Sequence, residues 1–342
     1  MAIRYKYEGD GFSQWLNRDL PYSNDFLVGL YRDMLRIRLI EEEIEGRYHQ
    51  DQMKTPIHLV IGQEATAVGS AAALALEDLL YASHRTHGNY LAKGGDLKAM
   101  LCEMHCRING CVGSRGGSMH LMDKSVGMAG SSAIVAGVVP IATGAALAAQ
   151  MRGDSHVVMV FLGDAATEEG AVSEALNFAA LKQLPVVFFC ENNFYSVQSP
   201  LHTRQPVREI HKWAATYGMP SRLIDGTNVL DVYEASLEAV SRAKRGEGPS
   251  FIEAEVYRFR AHGGSGDDSL TGYRDVAEVE AWQEVCPLDT YYRYLEHKGL
   301  MDDGKNEAMR GEIIKEIAEA FEFALASPNP EEKDLYTHVY AD

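Results

Sequence analysis

Two apolar runs in the middle of the chain leave little freedom in what it can fold into. His156–Leu162 (HVVMVFL) and Pro185–Cys190 (PVVFFC) are uninterrupted, strand-length and free of alternation, and Thr167–Lys182 between them has helical spacing. Strands that read as continuous hydrophobic runs are covered on both faces, the condition of parallel strands joined by a crossover helix. The middle of the chain is therefore read as a βαβ unit of about 35 residues.

The flanks extend the same alternation. Asn24–Gln50 carries apolar residues at helical spacing and reads as one long amphipathic helix. GQEATAVGSAAALAL, beginning at Gly62, is a helix of small residues that should pack closely on a neighbour. Asp96–Asn109 reads as a helix capped by Asp96, and VGSRGGSMHLMDKSVGMAG after it as a long ordered loop. Ser131–Met151 looks like a buried helix with a kink or break at Pro140. Beyond the central unit come a strand at Arg222–Ile224, a helix over Val229–Lys244 capped by DGTN, and a strand at Ser250–Phe259. Val276–Ala326 is helical and charged. The expected architecture is α/β, a doubly wound, mainly parallel sheet. Its divisions are a helical extension over 1–54, the α/β domain over 55–270 and a second helical extension over 271–342.

Composition excludes some functions. The 342 residues carry a net charge of −17 and no long Lys/Arg run, so no face is basic enough for nucleic acid or an anionic membrane. No apolar stretch approaches the ~20 residues of a membrane span. The N-terminal text is polar, with no apolar core for a signal peptide. Five cysteines, an odd number, suggest reduced thiols in a cytoplasm. Cys102, Cys106 and Cys111 lack paired-ligand spacing and read as ordinary thiols on or near a helix.

In an open parallel sheet, ligands bind at the carboxyl ends of the strands. Gly163-Asp164-Ala165 ends the first central strand and Glu191-Asn192-Asn193 the second. Adjacent parallel strands would bring Asp164 and Asn193 together, a carboxylate and an amide oxygen suited to a hard divalent cation such as Mg²⁺. A helix starting near Thr167 would point its N-terminus at the same spot and favour an anion there. Alone, Asp164 could as well be a helix cap and the two asparagines turn residues. Asn192 is read as structural.

This arrangement resembles the thiamine-diphosphate signature, in which Gly-Asp-Gly is followed about thirty residues later by Asn-Asn. The resemblance runs from about Asn24 to Pro328 and narrows to the alpha subunits of pyruvate and acetoin dehydrogenases. It is carried by HLVIGQEA (His58–Ala65), HRTHG (His84–Gly88), RGGSMHLMD (Arg115–Asp123), GDAATEEGAVSEALNFAAL (Gly163–Leu181), LPVVFFCENNFY (Leu184–Tyr195) and VYRFRAHG (Val256–Gly263). It implies thiamine diphosphate and Mg²⁺ as cofactors. Asp164, Asn193 and the backbone carbonyl of Tyr195 would hold the metal. Arg85, His84 and Arg258 would lie at the diphosphate, with the backbone of Ala165 and Ala166 close to the phosphates and that of Ile134 and Val135 at the aminopyrimidine. His262 would stand beside the diphosphate and the reacting centre, and His58 near the substrate carboxylate.

The resemblance further implies a decarboxylating component acting on a pyruvate-like 2-oxoacid or cleaving acetoin, with transfer of the acyl group to a lipoyl domain of an acyltransferase core. The activating glutamate belongs to a beta subunit in this family, so the expected form is an α₂β₂ heterotetramer, inactive as alpha alone. The chain departs from the pattern in three places. Ala165 replaces a glycine, SSAIVAGVVP replaces a glycine-richer text, and Gly263 and Gly272 stand where animal pyruvate dehydrogenases carry regulatory serines. A non-oxidative acyloin-forming or transketolase-like subunit is the rival enzyme reading, and a non-catalytic scaffold half the rival outside enzymes.

Overall fold

A computed structural model describes residues 20–340 except 207–208. Its centre is a six-stranded, all-parallel sheet of β1 (Leu79–Ala82), β2 (Met128–Ser131), β3 (Val158–Gly163), β4 (Val186–Asn192), β7 (Ser221–Asp225) and β8 (Ser250–Glu255), in the order β2-β1-β3-β4-β8-β7. β5 (Tyr195–Ser196) and β6 (Ser199–Pro200) form a small separate hairpin after β4. From β1 the chain steps outward to β2, then returns to the other side of β1 at β3 and continues to β4. The order thus reverses beside β1 and β3, where an open α/β sheet leaves a crevice.

The unbroken apolar runs have a direct cause. Met159, Phe161, Val187 and Phe189 point into one core, while Val158, Val160, Leu162, Val186, Phe188 and Cys190 point into the other. Side chains alternate along a strand, so burial on both faces demands an apolar residue at every position. The Phe161 and Phe189 rings stack at 4.6 Å across β3 and β4. Each such side chain contributes about 1.5–3 kcal/mol through burial, before the entropy of ordering it is subtracted.

Helices cover both faces. α1 (Asn24–Tyr48), α2 (Glu64–Ala72), α3 (His87–Ala92) and α4 (Leu97–Met104) precede β2. α5 (Val138–Arg152) and α6 (Gly170–Lys182) flank β3, and the short α7 (Leu201–Arg204) and α8 (Ile210–Ala215) precede β7. α9 (Val229–Lys244) joins β7 to β8, and α10 (Val276–Glu284), α11 (Pro287–His297) and α12 (Asp303–Ala326) complete the fold. α12 packs on α1 and α4. The small residues of α2 matter here: a Cβ at Gly69 would lie 2.7 Å from the Val229 carbonyl oxygen and 2.8 Å from the Val232 side chain. Only a hydrogen at that position lets α2 lie against α9.

The structure differs from the sequence reading in three places. No break occurs at Pro140, because α5 starts at Val138 and puts Pro140 in the first turn, where its missing N–H is not needed. The crossover helix starts at Gly170 rather than near Thr167; Asp164–Glu168 is a short 3₁₀ helix instead. The short elements β1, α3, β2, β5, β6, α7 and α8, none longer than six residues, went unread in the sequence. Among the described residues no helix is long and apolar enough to cross a membrane.

Candidate active site

A cleft of about 200 Å³ opens at the carboxyl ends of the strands. Ser83, His84 and Arg85 reach it from the end of β1, Ser132–Ala136 from β2, Gly163–Ala166 from β3 and Asn193–Val197 from β4, with His58 and His262 closing the far side. Asp164 and Asn193 thus share one wall, because β3 and β4 pair in register up to Gly163 opposite Glu191. Of the residues singled out in the sequence, all but Arg258 line this cleft. Ile134 and Val135 stand at its lip, 71% and 55% exposed, which suits a contact made through backbone.

Three residues at or beside the cleft have strained backbone. Ala136, Phe194 and Val197 have φ of 61°, 69° and 54°. A positive φ is costly for a residue with a Cβ, most of all for β-branched valine, and surrounding structure must hold it there. Ala165 does not share this conformation, so its methyl in place of a glycine hydrogen introduces no backbone strain.

Asp164 is 2% exposed, and burial pushes its carboxyl up while Arg204 pulls it down. The Arg204 guanidinium bonds its carboxylate from one nitrogen and that of Glu168 from the other. Gln205 fastens the same corner, its Nε2 donating to the Asp164 carbonyl oxygen at 3.2 Å, to Thr167 Oγ1 at 3.1 Å and to Glu168 Oε1 at 3.0 Å. Asn193 Oδ1 accepts from the Tyr195 N–H at 3.2 Å, which turns the chain after β4 and leaves the oxygen a second lone pair. Tyr195 is fixed from outside by Glu278 of α10 through its hydroxyl at 2.6 Å. Asn192 is spent on structure: its amide nitrogen donates to Glu253 Oε1 at 2.8 Å and its oxygen accepts from the Phe194 N–H at 3.1 Å. A carboxylate, an amide oxygen and the nearby Tyr195 backbone form an oxygen donor set of the kind Mg²⁺ takes, so these residues fit a hard cation and the anion it would carry.

The histidine side has different electrostatics. Burial, followed by the positive charge of Arg85, lowers His58 to about 3, His84 to about 2 and, with burial again the larger cause, His262 to about 4. All three are neutral at pH 7. Arg85 is itself lowered to about 10 by burial and by Arg258. Its guanidinium donates to the Leu59 carbonyl oxygen at 2.5 Å and to that of His262 at 3.0 Å. Arg258 lies one layer behind the wall, donating to the Val197 carbonyl oxygen at 2.5 Å and to the Tyr273 hydroxyl at 2.9 Å. It braces the strained Val197 rather than facing the cleft.

Several supporting residues escaped the sequence reading. Glu103 of α4 is fully buried, and its carboxylate accepts the N–H groups of Val112, Ser114, Gly116 and Gly117 at 3.2, 2.8, 2.7 and 3.0 Å. That one side chain shapes the glycine-rich loop carrying Met119 to the cleft. Beside it, Glu41 Oε1, His87 and Ser118 Oγ form a buried relay of two 2.7 Å bonds tying α1, α3 and the loop together. Arg115 does not reach the cleft; it holds the C-terminal segment through the Asp334 carbonyl oxygen and Thr337 Oγ1, both at 2.7 Å. The only sequence signal for Glu103 was an acidic residue on an otherwise apolar helix. Arg204 gave none. The five cysteines are free.

A family model described as the dehydrogenase E1 component matches residues 32–333. The alpha-3 subunit of the chloroplastic pyruvate dehydrogenase E1 component of Arabidopsis thaliana is 35% identical over 95% of this chain and 77% of its own length. The alpha subunit of the acetoin:2,6-dichlorophenolindophenol oxidoreductase of Bacillus subtilis is 36% identical over 94% of this chain and 95% of its own. The pyruvate dehydrogenase E1 alpha subunit of Rickettsia bellii is 32% identical over 95% and 98%.

Proposed function

The chain belongs to the dehydrogenase E1 component family, and from that membership we propose that it is the alpha subunit of a thiamine-diphosphate- and Mg²⁺-dependent decarboxylating component. Its substrate is a small pyruvate-like 2-oxoacid or acetoin. The acyl group passes to a lipoyl domain of an acyltransferase core, and the working form is an α₂β₂ heterotetramer with a beta subunit. The free thiols agree with a reducing cytoplasm. The observation that carries this reading is the meeting of Asp164 and Asn193 in one cleft that also holds three neutral histidines.

When bound, thiamine diphosphate supplies the electron sink for decarboxylation. This chain binds and orients. Asp164, Asn193 and the Tyr195 carbonyl would hold the metal, with the backbone of Ala165 and Ala166 toward the phosphates. Arg85 and His84 would bind the diphosphate, while Arg258 would have to exchange its bonds to Val197 and Tyr273 to do so. The backbone at Ile134 and Val135 would receive the aminopyrimidine. His58 and His262, being neutral, each have one ring N–H to donate and one nitrogen to accept. They can bond a substrate carboxylate or a developing oxyanion and hold a proton there.

Calorimetry on the chain co-expressed with its beta partner, titrated with thiamine diphosphate in Mg²⁺, tests the cofactor assignment. A substrate panel followed by carbon dioxide release and dye reduction tests the reaction. Stoichiometric binding with both signals on a 2-oxoacid, or dye reduction on acetoin, is the expected result. No cofactor binding would leave only a scaffold half, and carbon dioxide release without dye reduction would favour the non-oxidative reaction.

A further inference from the structure

The cleft contains a second donor set, of different chemistry from the first. His58 comes from the connection before α2, His84 from the end of β1 and His262 from the segment after β8. The ring centroids are 4.7 Å apart for His58 and His84, 5.1 Å for His58 and His262, and 5.5 Å for His84 and His262. One nitrogen from each ring can be chosen so that all three lie within 4.8 Å of one another. Among the described residues, none of these rings has a hydrogen-bond partner for its nitrogens, and His58 Nδ1 is fully buried without one. Buried polar atoms are nearly always partnered, so an orphaned one in a ring beside two further imidazoles points to something that binds among them.

We propose that His58, His84 and His262 form a three-histidine site for a borderline transition ion, Zn²⁺ being the physiological candidate, and that this ion closes the cleft reversibly. Imidazole nitrogen suits Zn²⁺, Cu²⁺ or Ni²⁺, whereas Mg²⁺ takes oxygen, so the two cations sort onto different donor sets. Zn–N bonds of about 2.0–2.1 Å in a tetrahedral site put the nitrogens about 3.3 Å apart, so each ring has to turn inward by roughly an ångström. The rings are already uncharged and need lose no proton to ligate.

The surroundings permit that movement and partly offset the charge. Gly263 has no side chain to press on His58, where a Cβ would lie 3.1 Å from Nε2. The backbone N–H of His262, not its ring, is held by Asp268 Oδ2 at 3.2 Å. The Arg85 and Arg258 guanidiniums oppose a cation, and Arg85 lies in turn in the field of Glu191 and Glu41. The fourth position of the ion opens onto the cleft and would take water or an anion. An ion there occupies the nitrogens that the substrate would otherwise use. The site stands on the three imidazoles whether or not thiamine diphosphate is the cofactor.

The test is titration of the full-length chain with Co²⁺, followed by its visible absorption, and with Zn²⁺, by competition against a chromophoric chelator. One ion per chain is expected, with the absorption of a tetrahedral nitrogen site and no thiolate charge-transfer band. His84→Tyr, with His58→Asn as a second variant should the first not fold, lowers the affinity by at least ~100-fold, beyond what a change around a ligand costs. Circular dichroism checks that each variant is folded. Asp164→Asn and Cys111→Ser leave the affinity unchanged. The proposal is overturned by affinity unaltered in both histidine variants, by a thiolate band, by loss of Zn²⁺ in Asp164→Asn, or by no stoichiometric ion. None of these outcomes depends on thiamine diphosphate binding, so the cofactor reading can fail or stand separately.

Discussion

The guanidinium of Arg204 lies against the buried carboxylate of Asp164, so the residue assigned to the metal has a cation of its own chain on it. A second nitrogen of the same guanidinium takes Glu168, and Gln205 ties the pair to the turn after β3. A buried carboxylate needs a compensating charge, and Arg204 supplies one.

Removal of that competitor should therefore tighten metal binding. In Arg204→Gln the cation no longer displaces a guanidinium from a buried carboxylate, a contact worth about 1 kcal/mol or more, so Mg²⁺ should bind at least about fivefold more tightly. Mn²⁺ titration followed by electron paramagnetic resonance reads this directly. Weaker binding would mean that Arg204 helps the cation rather than replacing it.

Asp164→Ala should abolish Mg²⁺-dependent retention of thiamine diphosphate while the chain stays folded. Arg204 keeps Glu168 as its partner, so the deletion leaves no isolated buried charge. Equilibrium dialysis and a thermal melt separate the two effects. Undiminished cofactor binding refutes the metal assignment.

The histidines give a pH dependence of defined sign. Their values in the folded chain, about 3, 2 and 4, lie below the ordinary 6.5. As pH falls below 6.5 the unfolded chain takes up protons that the folded chain does not, so stability is lost on acidification. The His262 part is complete near pH 4, while His58 and His84 continue lower. Urea unfolding at intervals from pH 7.5 to 4 should show this fall, reduced in His84→Tyr. Imidazole resonances of the three should stay neutral down to pH 5; titration near 6.5 would contradict the burial argument.

Glu103→Ala leaves the N–H groups of Val112, Ser114, Gly116 and Gly117 without an acceptor, at a cost of about 3 kcal/mol. Hydrogen exchange should accelerate over 112–119. Glu103→Gln, which keeps the shape and one acceptor oxygen, recovers part of the loss. Equal exchange in all three chains would show that the loop is held by other contacts.

Gly69→Val drives a side chain into the Val229 carbonyl and Val232. Overpacking of this kind costs about 1–3 kcal/mol, and here both helices must separate, so the upper end is expected. Chemical denaturation measures it, and a neutral result would mean that α2 and α9 can move apart freely.

The sequence by itself determined the parallel sheet and the pairing of Asp164 with Asn193. Both follow from local pattern: two unbroken apolar runs demand burial on both faces, and parallel register then puts their polar ends side by side. The residues at His84–Arg85, Ser132–Ala136 and His262 were legible as motifs, and as neighbours only through the family resemblance, since nothing local joins β1, β2 and the segment after β8. Only the tertiary structure brought His58, His84 and His262 within ligating distance, put Arg204 on Asp164 and turned Arg258 onto Val197. Those arrangements depend on strand order and side-chain direction, set by the packing of distant segments. Hydrophobic periodicity encodes which face of an element is buried; it carries no information about which polar side chain of another element arrives there.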